Sequence, residues 1–419
     1  MLTPYLTCGM LLLLVAQEAT IANNPQLPLS DLVHTYMQTD DQSQRVDIAK
    51  QIERDQSYTP QRLDGAIRHV QLWPSLRQRE GQLVWTDRRS QQQTTSYRLP
   101  VHYDPAQSYP LILGDVPTWF GDPDAFVVAS LPADLPYSFH QSPDDHAGFF
   151  AMLLALRRSI HLDTQRTFLC APADVGWLLL SAHADIFSAA ILQGSPLKLP
   201  YATQLYPILL ENYQNTPIRW VMPIDQVKTA SQLGLYLQYL ARQKNVPIEF
   251  INLDQDQTKL SLKSSKWLAS LTKPAASRPT SHWYRFPSQG RTPWLHAIKY
   301  KGKPWIADQL SIVVNPTVDR ATYITGVLKD RLAYLGGRVT GQSIEIETRR
   351  CEHLVWRLYE HSIDWSKPIT VLCNGQRRFE GPIKPSITTM LESARASWNF
   401  SRPVWVSRTI SIRSDAPDS

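Results

Sequence analysis

"RTFLCAPADVGWLLLSAHADIFSAAILQGSP", residues 166–196, changes its period twice. "TFLCAP" is a short unbroken apolar run, the pattern of a strand buried on both faces. "DVGWLLLSAHADIF" has the length and pattern of a helix, and "SAAILQGSP" returns to a buried strand that ends in a Gly-Ser-Pro turn. Strand, abrupt turn, helix and strand in this order make the repeating unit of a parallel sheet.

The same rhythm extends in both directions. Upstream, "QLVWTDRR", "TTSYRLPVHYDP", "SYPLILGDVP" and "DAFVVASLP" read as strands. The segment "SPDDHAGFFAMLLALRRSIHLD" reads as a helix with an acidic first turn and a basic last turn, as the helix dipole prefers. Downstream, "PIRWVMPID" precedes the helix "QVKTASQLGLYLQYLARQKN", and "PIEFINLD" precedes "SSKWLASL". The pattern predicts a doubly wound α/β domain with a parallel sheet over residues 81–273. Before it, residues 23–80 read as a helical lead-in that packs on the α/β domain, with Ser30 and Thr59-Pro60 as helix starts. After it, residues 274–292 combine Pro, Ser and Arg without periodicity and read as a linker. Residues 293–413 read as a mostly β domain interrupted by one helix, "SITTMLESARASW", and Asn374-Gly375 is its best hairpin signal.

A chain of 419 residues with 43% hydrophobic residues and 13 Trp can bury more than one core, which excludes a disordered chain. The first 22 residues carry an apolar run from Cys8 to Val15, too short to span a bilayer and followed by small residues. They are expected to be a signal peptide, with the mature protein secreted or periplasmic and without a transmembrane segment. Cys170, Cys351 and Cys373 match neither a zinc cluster nor a redox pair, and Cys351 and Cys373 are either a bridge between strands or separate buried thiols. The net charge of +6 is uneven, because residues 275–419 hold 21 basic and 12 acidic side chains. That excess could meet an anionic envelope polymer, although no basic run exceeds two residues and no nucleic acid partner is expected.

Three stretches carry a likeness. "YRLPVHYDPAQSYPLIL", "ALRRSIHLDTQRTFLCAPADVGWLLLSAHADIFSAAILQGSP" and "SIDWSKPITVLCNGQRRFEGPIKPSITTMLESARASW" resemble the entry strands, the nucleophile-elbow region and the C-terminal module of secreted bacterial α/β-hydrolases of the esterase and prolyl-oligopeptidase-like kind, which carry an added C-terminal β domain. The resemblance implies a G-x-S-x-G elbow, an oxyanion hole and an acid and a base on later loops. Set on that pattern, residues 171–175 read Ala-Pro-Ala-Asp-Val, so Ala173 stands where the serine should be, and no Ser, Thr or Cys lies between Ala171 and Gly176. Cys170 falls in the strand. Where the oxyanion donors belong the chain has "LILGDVP", in which Pro117 has no N–H, although Gly114 is retained. Asp225 fits the place of the acid. The loop after "PIEFINL" has no histidine, and the next one downstream is His282.

The expectation is therefore a degenerate member of this group, a pseudoenzyme in a binding or scaffolding role, with no cofactor and an unknown ligand. Its candidate binding residues are Trp119, Asp115 and Asp174, at the end of the sheet that holds the pocket in such folds. The alternative is an active serine esterase or peptidase with relocated groups, namely Ser195 at the end of its strand, Asp225 and His282. Metal binding by Asp144, Asp145 and His146 or by Asp254 and Asp256 is not expected, because adjacent carboxylates at a helix start are explained by capping.

Overall fold

The computed structural model describes residues 28–55, 57–76, 78–86, 91–117, 120, 123–131, 143–195, 201–222, 224–252, 264–273, 278–302, 312–313 and 317–412. The expected signal peptide, Trp119 and the loop 253–263 lie outside them.

Eight strands form one sheet: β1 (Glu80–Thr86), β2 (Gln92–Arg98), β3 (Tyr109–Gly114), β4 (Val127–Ala129), β5 (Leu162–Pro172), β6 (Ala189–Gln193), β7 (Ile218–Met222) and β8 (Ile248–Asn252). Their order is β1-β2-β4-β3-β5-β6-β7-β8. The pairs β1/β2 and β2/β4 are antiparallel, and every pair from β4 to β8 is parallel. Successive residues of the central strands enter two different cores. Leu111, Leu113, Leu169, Ala171, Ala190 and Leu192 face one, whereas Ile112, Phe168, Cys170, Ala189 and Ile191 face the other. With both faces covered, each strand must be apolar throughout, which is why "TFLCA" and "AAIL" show no alternation. The sheet is doubly wound, mostly parallel and α/β in class.

The crossovers between the parallel strands contain three helices that sequence periodicity predicts, α4 (Pro143–Ser159), α5 (Ala173–His183) and α7 (Ile224–Gln243), and one that it does not, α6 (Ala202–Leu209). C-terminal to the sheet come β9 (Thr280–Tyr284), β10 (Leu295–Tyr300), α8 (Arg320–Arg331), β11 (Ala333–Thr340), β12 (Ser343–Arg349), β13 (Cys351–Leu358), β14 (Ile369–Cys373), β15 (Gln376–Gly381) and β16 (Val406–Ser411). They form a five-stranded sheet, β15-β14-β12-β11-β9, and a three-stranded sheet, β10-β13-β16. Asn374 and Gly375 join β14 to β15 with φ of 51° and 76°, the left-handed pair that a two-residue hairpin turn requires. The stretch read as a linker contains β9. It pairs antiparallel with β11, and the Asn212 amide accepts from the Trp283 N–H at 2.7 Å and donates to the Trp283 carbonyl at 2.9 Å. That partner lies 71 residues away, so local composition could not show it.

The described residues fall into two compact units, one ending at Leu72 and rejoined by Pro385–Val406, the other made of Trp73–Lys384 with the chain from Ser407. The first unit contains α1 (Leu29–Gln38), α2 (Gln42–Arg54), α3 (Pro60–Arg68) and α9 (Ile387–Ser397). Side-chain caps start three of these helices: Asp41 accepts from the Ser43 N–H, Thr59 from that of Arg62, and Ser386 from that of Thr389. The helix "SITTMLESARASW" thus joins the N-terminal helices, which it meets through Met390, Leu391 and Ala394 on its buried face and through the Tyr36 hydroxyl, which donates to Glu392 Oε1 at 2.6 Å. Asp64, 2% exposed, receives the Trp405 indole N–H at 2.7 Å and pairs with Arg68. Replacing Asp64 by Ala removes the buried carboxylate that accepts from the Trp405 indole N–H and pairs with Arg68, and is expected to lower the stability of this unit by about 1–3 kcal/mol. Hydrogen exchange of α3 and α9 measures it; unchanged protection would show that the buried carboxylate contributes nothing.

Candidate site at the carboxyl ends of the strands

In a parallel sheet, ligands meet the loops after the carboxyl ends of the strands. Here that edge comprises Gly114 and Asp115 after β3, Pro172 to Asp174 after β5, Gly194 and Ser195 after β6, and the start of α7 after β7.

The β5–α5 junction is relaxed. A nucleophile elbow holds its serine in a strained turn so that the hydroxyl stands clear of the sheet. Pro172 instead has φ −52° and ψ 142°, an ordinary extended cap, and no residue from Leu162 to His183 has a positive φ. Ala173 is fully buried. Gly176 keeps the close approach expected of an elbow glycine, since a Cβ there would lie 2.3 Å from Leu192 Cδ2. Counting back from Gly176 rather than forward from Ala171 puts Asp174 at the centre of the pattern. Asp174 is the partly exposed side chain of this turn, and its Oδ1 accepts from the Val175 N–H at 2.8 Å. Neither register supplies a hydroxyl or a thiol. Burial, with Asp115 adding to it, pushes the Cys170 thiol up to about 12, so the nearby sulfur stays protonated and inert.

Gly114 has φ +110°, and a Cβ on it would fall 1.9 Å from the Cys170 carbonyl oxygen. The end of β3 therefore presses directly on β5. Asp115 is exposed beyond it, and the Phe120 N–H that follows Pro117 is used inside the turn, donating to the Pro117 carbonyl at 2.9 Å. After β6, Gly194 has φ 79° and its carbonyl accepts from the Trp220 indole at 2.7 Å, which fixes the turn that leaves Ser195 exposed. Asp225 falls in the first turn of α7, after β7, with its side chain outside the described part of the structure. The same holds for Trp119, for the side chains of Asp144, Asp145 and His146, and for Asp254 and Asp256. Among the described residues no group of three or more His, Cys, Asp or Glu converges on a possible metal position, and no helix is long and apolar enough to cross a membrane. Cys351 and Cys373 are separate buried thiols.

His282 does not join Ser195. It is buried in β9, its Nε2 lies 2.7 Å from the Gln289 carbonyl oxygen, and the carboxylate acting on it is Asp185, which precedes β6. Ser195 follows β6, so Asp185 and Ser195 flank opposite ends of that strand. Of the alternative triad, Ser195 is exposed after β6, His282 is buried in β9, and the side chain of Asp225 lies outside the described residues.

The fold is α/β-hydrolase-like. The assignment rests on the strand order, the parallel pairing and the strand-to-helix junction in this chain. Neither a protein-family model nor a curated protein matches it. Solved structures similar to it include the AtxE2 isopeptidase (14% identity, TM-score 0.35, covering 45% of this chain and 39% of that one), dipeptidyl peptidase 4 of Porphyromonas gingivalis (13%, 0.34, 46% and 35%) and a thermostable esterase (12%, 0.35, 46% and 64%). This chain thus spans well under two thirds of the peptidases it matches.

What the sequence reading missed lies at the other edge of the sheet. Asp185, Arg157 in the basic last turn of α4, and Arg291 come together there. The paired arginines of "LRRS" were the available signal, read only as a complement to the helix dipole.

Proposed function

We propose that this chain is an exported α/β-hydrolase-fold protein, secreted or periplasmic, that lacks a catalytic triad and acts by binding or scaffolding. The observation that carries the reading is the β5–α5 junction, where an unstrained Pro172 and a fully buried Ala173 occupy the turn that would have to present a nucleophile. Without nucleophile and base, acyl transfer falls by about a millionfold. The partly exposed Asp174 and the exposed Asp115 are the described carboxylates at this edge with which a ligand would make polar contact, and Trp119 is the proposed apolar partner.

Purified protein assayed on short-chain aryl esters and on peptide anilides is expected to show turnover no greater than buffer. Turnover abolished by a single substitution in this chain would refute the reading. Export is checked on protein recovered from its host: a mature N-terminus near Ala22 supports it, and an intact Met1 opposes it.

A further inference from the structure

The eight-stranded sheet ends at β8, which pairs with β7 alone among the described strands. The register is parallel and unbroken, from Ile218 opposite Ile248 to Met222 opposite Asn252, and the Ile218 N–H donates to the Pro247 carbonyl at 2.8 Å. Alternate residues of a strand direct their N–H and C=O to the same side. Glu249 and Ile251 therefore bond to β7, whereas Phe250 and Asn252 point both groups outward, together with the Ile248 carbonyl. The Ile248 N–H is already used, donating to the Val246 carbonyl at 2.9 Å. Folds commonly guard such an edge with lysine, proline or a bulge. Within β8, Ile-Glu-Phe-Ile-Asn, there is none of these, and its one charge is drawn back toward the sheet, because Arg219 Nε of β7 donates to Glu249 Oε2 at 2.7 Å.

The helix beside this edge is apolar on its outer flank. A Cβ on Gly234 would lie 3.8 Å from Phe250 Cε1 and 3.8 Å from Trp220 Cη2, so α7 crosses the sheet over the middle residue of β8. Leu237 and Ala241 are buried beneath it. Lys244, just past the helix, reaches the Pro207 carbonyl at 3.1 Å and Glu211 Oε1 at 2.7 Å, which sets α6 and the turn after it on one flank of α7. Leu235 and Tyr239, one turn apart, occupy the other flank, beside the free edge, and are 65% and 57% exposed. The Gln243 amide donates to the Tyr239 hydroxyl and holds the ring along the helix. Exposed apolar side chains of this size, tyrosine above all, are what interface cores are made of.

A second copy of the chain matches both features at once. About a two-fold axis through Phe250, two β8 strands run antiparallel, and Phe250 faces Phe250 with N–H···O bonds exchanged in both directions. The Asn252 N–H then faces the Ile248 carbonyl of the other copy, the group of Ile248 that is still available. The same axis brings the Leu235 and Tyr239 flank of one α7 against that of the other, since Gly234 fixes this part of the helix level with Phe250. We propose that this edge is a self-association surface, at which two copies of the chain join their sheets through paired β8 strands and pack their α7 helices on each other. The surface is independent of the elbow and of any reading of its chemistry.

Sedimentation velocity of the purified full chain over about a hundredfold range of concentration tests it. A reversible species of twice 47.8 kDa is expected, and the β8 amide protons should exchange more slowly in that dimer than after dilution. Leu235→Glu combined with Tyr239→Glu sets like charges about the axis and should weaken association by about a hundredfold or more. Both side chains are exposed, so the far-ultraviolet circular dichroism of the double variant should match the parent's. Val84→Glu, at an exposed position of β1 on the opposite edge of the sheet, should leave association as it was. A monomer at every concentration would overturn the proposal and leave the edge to a strand of a different chain. A dimer unaffected by the double variant, a dimer weakened equally by Val84→Glu, or β8 amide exchange that does not depend on concentration would overturn it as well.

Discussion

Acidification from pH 7 to pH 5 is expected to remove about 4 kcal/mol of unfolding free energy from the unit that contains the sheets. Two histidines are responsible, the buried His282 and the half-buried His296. Burial pushes His282 down to about 4, with Asp185 and the Gln289 carbonyl only partly opposing it, and pushes His296 down to about 3, with Arg291 and Arg357 adding to the effect. An unfolded imidazole titrates near 6.5. In the window between, the unfolded chain binds protons that the folded chain refuses, so stability is complete above about pH 6.5 and falls as the pH drops toward the folded values. Each histidine contributes about 2 kcal/mol over two pH units. Urea midpoints at the two pH values, in buffers free of phosphate and sulfate, measure the loss, and His282→Gln should halve it. A midpoint independent of pH would mean that neither ring is held neutral.

Gly114→Ala is expected to cost about 4 kcal/mol or more, among the largest effects of any single substitution in the sheet. The backbone there has φ +110°, where a side chain is strained, and the new methyl would meet the Cys170 carbonyl oxygen at 1.9 Å, a backbone atom of the neighbouring strand that has no rotamer to escape into. Gly326 in the interior of α8 gives the matched control. A Cβ added there meets nothing within 4 Å, so Gly326→Ala should stabilise the chain by about 0.5–1 kcal/mol. Thermal or urea unfolding of the two variants should therefore shift in opposite directions. Equal and small shifts would show that β3 and β5 separate more easily than their register indicates.

The central sheet was legible because its strands are covered on both faces. "TFLCA", "LILG" and "AAILQ" can be uniformly apolar only where two cores receive alternate residues, and the helix between β5 and β6 changes period within two residues of Pro172. The hairpin at Asn374-Gly375 was legible for an equally local reason, since few residues other than Asn and Gly tolerate the φ that the turn needs. The partnership of α9 with α1, α2 and α3 was not. It depends on contacts between segments more than 300 residues apart, such as Tyr36 with Glu392 and Asp64 with Trp405, for which neither segment carries a local mark. The same limit hid β9 in a stretch rich in Ser, Pro and Arg. At the site, the missing hydroxyl could be read directly from residues 171–175. The absence of strain at Pro172 could not, because it is a property of the backbone.

Whether the turn after β5 can still present a nucleophile is decided by intact-mass measurement of the full chain after exposure to excess fluorophosphonate. An unchanged mass is the expected result. One phosphonyl adduct per chain, mapped to any serine, would contradict the loss of the catalytic hydroxyl.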